Sequence, residues 1–319
     1  MRDVVVIGGG LSGLAACYEL EKHGVAYTVI EVKRRFGGSI HSVLEDGFIM
    51  DACAFAFLPI ADAALLEDLG LRERIVQTSA ESYAFADGTE ALIRALANRL
   101  RGGRLMRMAV SSIGRLGDRF TICLENGLML DAGALILALP ARYAARMLWN
   151  LAPEAAEQLA DFRYDSIRRV SLGYHKRDLP ARLDGDLNET FPFIISTDQP
   201  GRVPDRDHLL IQVGLRSSDD MSTDEAICAV TQHFGWRASP LVARVDYWSE
   251  ADLLEDYGAA HRDSVRAIRN LLPAGLRLIG SDYCREAPDV RGIARLDERI
   301  QSGRRAARDA LEFLKAKKQ

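Results

Sequence analysis

The chain has 319 residues, 48% of them apolar and 27% charged, and a net charge of −4. Those proportions exclude a disordered chain, a collagen and a disulfide-stapled miniature, and the slight acidic excess gives a polyanion nothing to bind. The length allows about two domains around a large core.

Residues 4–7 form a continuous apolar run, as a strand buried on both faces requires. The run breaks into Gly8-x-Gly10-x-x-Gly13; residues 14–23 then read as a helix closed by Gly24, and residues 25–30 as a second strand ending at Glu31. This is the G-x-G-x-x-G pattern in its strand–turn–helix–strand setting, with an acid at the end of the second strand. Gly8 permits the turn, Gly10 lets backbone approach a pyrophosphate, and Gly13 lets helix and strand pack closely. Leu11 and Ser12 lie at the helix start, whose free N–H groups and partial positive charge favour phosphate. Glu31 suits the hydroxyls of an adenosine ribose and repels a 2′-phosphate; Val32 and Lys33 continue the same rim. At this point the dinucleotide is either NAD or FAD.

A second glycine pair, Gly37-Gly38, follows Lys33-Arg34-Arg35-Phe36 and precedes Ser39, and can run backbone along the same pyrophosphate. Next comes Asp46-Gly47-Phe48-Ile49-Met50-Asp51. Residues 4–51 thereby resemble the flavin amine oxidase / protoporphyrinogen oxidase / phytoene desaturase superfamily, whose members carry a similar R-x-G-G stretch and D-G-F-x-x-D. The resemblance continues through Phe85 to Leu92 with Leu96 and Leu100, through strands opening at Val110, Thr121 and Ala134, and through residues 276–282 and 300–307. It implies an α/β fold with a Rossmann-like FAD-binding domain and a smaller, mostly antiparallel α+β substrate domain. The expected boundaries are 1–58, 84–140 and 275–319 for the discontinuous FAD-binding domain, and 59–83 with 141–274 for the substrate side. It further implies non-covalent FAD, with Val110 on the adenine side, Asp282 on the ribityl chain and the Ile300 N–H facing the flavin pyrimidine.

Several departures from the family pattern stand out. Ser39 occupies a position usually held by Arg, which removes one phosphate charge that Lys33 partly supplies. Cys53 replaces a glycine beside the flavin. Glu298-Arg299 stand where small residues usually precede Ser302-Gly303. The lysine of many amine oxidases falls near Arg169, which cannot act as a base at neutral pH. The connection from Asp51 to Phe85 is short, with one brief helix over residues 61–69, so most of the helical substrate domain of full-length relatives is missing. The flavin pocket is then either more open or covered by another chain, in a homo-oligomer or with a partner subunit, and the expected substrate is a small molecule or one that is large, carrier-tethered or presented at an oligomer interface.

Between residues 141 and 274, strands are expected at 169–175, 191–196, 208–215 and 242–248, and a helix from Ser222 or Thr223 to about Phe234. Residues 178–189 and 199–207 read as loops. By resemblance, Trp248, Tyr257 and His41 are the catalytic candidates. The six histidines lack metal-ligand spacing, so no metal is expected. The five cysteines, an odd number without C-x-x-C, fit reduced thiols in a cytoplasmic protein. No signal peptide and no membrane span are expected, since no apolar run approaches the ~20 residues of a bilayer crossing.

The resulting expectation is an FAD-dependent oxidoreductase that takes a hydride from a C–N or C–C substrate and passes electrons to O₂ or another acceptor. No nucleic-acid partner is expected. Two alternatives stand beside it: a flavoprotein that binds FAD as an accessory or scaffold, or as a non-redox flavoenzyme, without oxidase turnover, and an NAD-dependent dehydrogenase.

Overall fold

The computed structural model describes residues 2–317 apart from 182, 184, 185 and 254–256; the expected loop at 178–189 therefore lies partly outside the described residues. Strand β1 (Arg2–Ile7), helix α1 (Leu11–Lys22) and strand β2 (Tyr27–Glu31) open the chain. β1 pairs in parallel with β2 on one edge and with Met129–Leu137 on the other, in register Val4↔Tyr27 and Val4↔Ala134. Gly103–Met106 extends the sheet beyond β2, and Leu276–Leu278 joins Met129–Leu137 in parallel. Two antiparallel strands, Arg119–Leu124 and Val110–Leu116, complete seven.

Helices cover both faces of this sheet, which is why its strands are apolar at successive positions rather than alternate ones. Val4 and Val6 point into a core with α1, the helix Glu90–Arg99 and the C-terminal helix Leu296–Ala316. Val5 and Ile7 point into a second core with Ala141–Leu148, Pro153–Ala160 and Ala259–Leu271. Ile60, Leu65, Leu66, Leu69 and Leu71 join the first core, and Ala144, Leu148 and Leu159 the second. Residues 60–71 and 141–160, assigned from sequence to the substrate side, thus share the cores on the two faces of the parallel sheet.

The connection after Asp51 is less bare than expected: after the helix Ala63–Asp68 it forms a hairpin of Ile75–Gln77 and Tyr83–Phe85 in a small sheet with Ala56–Phe57, Ile293–Ala294 and Asp289–Val290. A four-stranded antiparallel sheet runs in the order Ile194–Thr197, His208–Leu215, Tyr164–His175, Val242–Leu253. The helix Thr223–His233 packs on it, and its Ser222–Glu225 capping box satisfies two terminal N–H groups reciprocally. Among the described residues, no helix is long and apolar enough to cross a membrane.

Two buried polar knots tie the antiparallel-sheet side to the Phe48–Asp51 strand and to the small sheet. Arg202, wholly buried, donates to the Phe85 carbonyl at 2.8 Å and to Asp51 Oδ2 at 2.5 Å, and Asp51 also accepts from the Thr89 N–H at 3.0 Å. Arg169 donates to Asp289 at 2.6 Å and to Gln212 at 3.3 Å, while Gln212 donates to the carbonyls of Asp51 and Cys53. The D-G-F-x-x-D segment is thereby clamped from both sides.

Candidate functional site

The glycines after β1 divide into those that hold the backbone together and one that faces open space. A Cβ on Gly8, at φ +104°, would sit 2.3 Å from the Ala138 carbonyl, and one on Gly13 would sit 2.0 Å from the Gly8 carbonyl. Gly303 of the C-terminal helix is as tightly placed, 2.2 Å from the Ser12 carbonyl. Gly10 differs: its φ of −73° suits any residue, and a Cβ there would meet no atom within 4 Å. Gly10 caps α1 and is free to present backbone to a ligand at a helix N-terminus.

The second glycine pair lies against the first. Gly10 and Gly37 form a parallel bridge, and the Gly37 N–H donates to the Gly9 carbonyl at 2.8 Å. Arg35 fixes this loop by donating to the carbonyls of Phe36, Gly38 and Ile40 at 3.0–3.1 Å. The guanidinium of the R-x-G-G stretch therefore shapes the turn instead of pointing at a phosphate.

A cleft of about 560 Å³ opens over these elements. It is lined by Gly8, Gly10, Leu11, Ser12 and Gly13 from the first turn, Glu31, Val32 and Lys33 from the end of β2, Gly37, Gly38 and Ser39 from the second turn, and Val110 from the antiparallel edge. Met108, Arg146, Met147, Gly280 and Ser281 line it too and were not anticipated. The Glu31 carboxylate accepts from the Gly9 N–H at 2.7 Å and the Lys33 N–H at 2.8 Å, so its orientation is set by backbone.

A smaller cavity of about 90 Å³ adjoins the cleft and shares Ser39, Trp248, Glu250, Ser281 and Arg299 with it. Its remaining walls are Cys53 and Ala54, Ile167 and Arg169 of the antiparallel sheet, and Pro288, Asp289 and Ala294. Trp248 is the catalytic candidate that reaches this junction; its indole N–H donates to the Ala52 carbonyl at 2.8 Å, and Lys33 Nζ lies 5.3 Å from its ring centroid. Glu250 accepts from Arg142 at 2.8 Å and from the Tyr143 hydroxyl at 3.1 Å. Burial, then the charge of Asp51, pushes the Cys53 thiol up to about 12, so it is protonated at neutral pH.

Four residues expected at the site lie off both cavities. His41 is bonded to Glu90 at 2.9 Å beside the start of the Glu90–Arg99 helix. Tyr257 packs on the second core, its ring 4.8 Å from that of His261. Asp282 is turned away from the cleft: it accepts from the Ala141 N–H at 2.8 Å and from the Tyr164 hydroxyl, and burial holds its carboxyl above the usual carboxylate range. Ser281, one residue earlier, is the one on the cleft wall. Ile300 is wholly buried, and because the last helix starts at Leu296 its N–H falls inside the helical ladder instead of among the free donors. Among the described residues no group of His, Cys, Asp or Glu could hold a metal ion.

The fold and the glycine-lined cleft define a dinucleotide-binding protein of the Rossmann type. The NAD(P)-binding Rossmann-like domain profile matches residues 6–69, and the flavin containing amine oxidoreductase profile matches residues 68–311. The chain therefore belongs to the flavin containing amine oxidoreductase family, whose members work through a flavin.

It is 44% identical over 75 residues to protoporphyrinogen oxidase 2 of Arabidopsis thaliana, a match covering 23% of this chain and 15% of that protein. It is 35% identical over 97 residues to coproporphyrinogen III oxidase of Bacillus subtilis, covering 28% of this chain and 21% of that protein. The matches to these curated relatives thus span about a fifth of their length or less. Among solved structures, one from Exiguobacterium sp. 255-15 assigned as a protoporphyrinogen oxidase aligns over 98% of this chain and 99% of the other, with TM-score 0.77 and 15% identity. A putrescine oxidase variant aligns with the same coverage at TM-score 0.75 and 15% identity. At such identities these two likenesses show the shared fold alone.

Proposed function

We propose that the chain binds FAD non-covalently in the cleft and acts as an FAD-dependent oxidoreductase, removing a hydride from a C–N or C–C substrate. The observation that carries this reading is Gly10: a helix-capping glycine with open space where a side chain would be, backed by a second glycine turn and a backbone-oriented Glu31. Glycine there leaves room for a pyrophosphate. Glu31 accepts from the ribose hydroxyls, and the Met108–Val110 wall flanks the adenine. Ser39, Ser281 and Trp248 surround the position of the flavin ring. The flavin supplies the hydride acceptor and the protein supplies position, charge and exclusion of water.

On the substrate side, Trp248 is an apolar wall and Arg169 is a fixed element of that wall, since both ends of its guanidinium are engaged. The adjoining cavity of about 90 Å³ is too small for a drug-sized ligand, whose pockets run to ~300 Å³ or more. This favours a substrate approached from the open side of the cleft: a large or carrier-tethered molecule, or one held by a second chain. The family of the curated relatives makes porphyrinogens and amines the first substrates to test. The same small cavity supports the second reading, an FAD-binding protein without turnover.

The test is a visible absorption spectrum of the purified full chain, followed by mass analysis of the chromophore released on denaturation and by anaerobic mixing with a panel of amines and porphyrinogens. Bleaching of a released, FAD-mass chromophore by a panel member supports the oxidoreductase. Bound FAD that no candidate reduces supports the second reading, and a chain without affinity for FAD refutes both.

A further inference from the structure

Arg299 is a cation whose protein partners are all otherwise engaged. It lies in the first turn of the 21-residue C-terminal helix and lines both the cleft and the adjoining cavity. Its Nε is buried with no hydrogen-bond partner, and among the described residues it makes no salt bridge. The acids and thiols near it answer its charge only in part: Asp289 attracts it but is shared with Arg169. Asp289 is taken by Arg169 at 2.6 Å and by the Gly292 N–H at 2.6 Å, and Glu298 accepts from the Arg285 N–H. Burial pushes the Cys53 and Cys284 thiols up to about 12, so both are neutral. Arg169 adds a second cation to the same cavity wall, and the helix start adds its partial positive charge.

A guanidinium stays protonated at neutral pH, and one whose Nε is buried unbonded and whose one nearby carboxylate is already paired with Arg169 is unfavourable to keep out of water. Such a charge is tolerated where a bound anion completes the pair. We propose, resting on the FAD reading above, that Arg299 is that counter-charge for the pyrimidine end of the flavin, where the reduced ring carries its negative charge on N1–C2=O. The charge is absent from the oxidised ring. Arg299 therefore favours reduced over oxidised flavin and raises the reduction potential. It takes the part that sequence reasoning gave to the Ile300 N–H, which the helix consumes internally.

The experiment uses the full-length, flavin-loaded chain as wild type, R299Q and R299K, and measures the FAD midpoint potential by dye equilibration alongside the affinity for oxidised FAD. The expected result for R299Q is an affinity for oxidised FAD within tenfold of wild type and at least a tenfold loss for reduced relative to oxidised flavin. For a two-electron couple that is a fall of about 30 mV. R299K keeps the charge and recovers most of the shift, which separates charge from a packing defect. A potential unchanged in R299Q, with both flavin forms weakened equally or neither, overturns the proposal. It is likewise overturned if succinate perturbs the wild-type flavin spectrum but not that of R299Q while the potentials agree, because Arg299 then serves a substrate carboxylate. A wild-type chain that takes up no FAD at all refutes the functional reading itself; yellow wild type with an unmoved R299Q potential refutes only this inference.

Discussion

Replacing Arg202 by methionine tests whether the buried Arg202–Asp51 pair holds the loop before the His208–Leu215 strand against the Phe48–Asp51 strand. Both side chains are fully shielded from solvent, and Arg202 spends its donors on Asp51, on the Phe85 carbonyl and, at 3.4 Å, on the Phe55 carbonyl. Methionine fills similar volume but leaves Asp51 as a buried charge facing no cation. Breaking such a pair costs about 3–5 kcal/mol, a large part of the ~5–15 kcal/mol that separates folded from unfolded chains. In a D51N background the stranded charge is gone. There Arg202 is itself the buried charge without a counter-ion, so the same R202M change should cost little or even stabilise, the ~1–3 kcal/mol for carbonyls left without donors being offset by removal of that charge. Urea denaturation of wild type, D51N, R202M and the double variant measures all four corners of the cycle. A cost for R202M below about 1 kcal/mol in the wild-type background, or the same cost in both backgrounds, would refute the reasoning.

The remaining predictions concern the cleft and its supports. E31Q removes the carboxylate charge that accepts from the ribose hydroxyls in the FAD reading; FAD affinity should fall about 10- to 100-fold, on the scale of ~1.5–3 kcal/mol for a hydrogen bond to a charged group, read by quenching of FAD fluorescence. Unchanged affinity would place the ribose elsewhere. G303A should destabilise the chain by about 1–3 kcal/mol, because its methyl meets the Ser12 carbonyl; thermal unfolding decides. Asp282 sets a pH dependence. Its carboxyl is held above the ordinary range, chiefly by burial, so the folded state keeps a proton that the unfolded state has released. Its contribution to stability is therefore full below the unfolded carboxylate range and is lost as pH rises through the folded value. D282N, with no proton to lose, should gain stability relative to wild type as pH rises from about 4 to 7; a constant difference across that range would contradict the assignment.

Much of the architecture was legible in the chain because a few patterns carry strong local physics. The opening strand–turn–helix–strand unit, the His208–Leu215 strand and the capped Thr223–His233 helix follow from apolar runs, glycine spacing and a Ser-x-x-Glu box. The Ala141–Leu148 and Pro153–Ala160 helices were not anticipated: their buried face is mostly alanine, which carries little hydrophobic signal. At the site, the glycines, Glu31 and Ser39 could be read from motif spacing, since backbone approach depends on local sequence. Asp282 and Ile300 could not. Whether an acid faces a cleft or a tyrosine hydroxyl, and which helical N–H stays free, depends on where a helix begins and what packs behind it. Arg35 as a loop clamp and, among the described residues, Arg299 as a cation without a salt bridge are likewise tertiary facts, although the Arg299 departure from small residues was already visible in the sequence.

The most direct test of the central claim is FAD binding to G10L beside wild type. Position 10 has an ordinary backbone conformation and open space over its Cα, so the leucine side chain should project into the cleft and leave the thermal unfolding of the flavin-free chain unchanged. The account predicts that flavin-stripped wild type binds one FAD per chain while G10L, equally folded, binds it at least about a hundredfold more weakly, near 2.7 kcal/mol. FAD binding to folded G10L with wild-type affinity would contradict it.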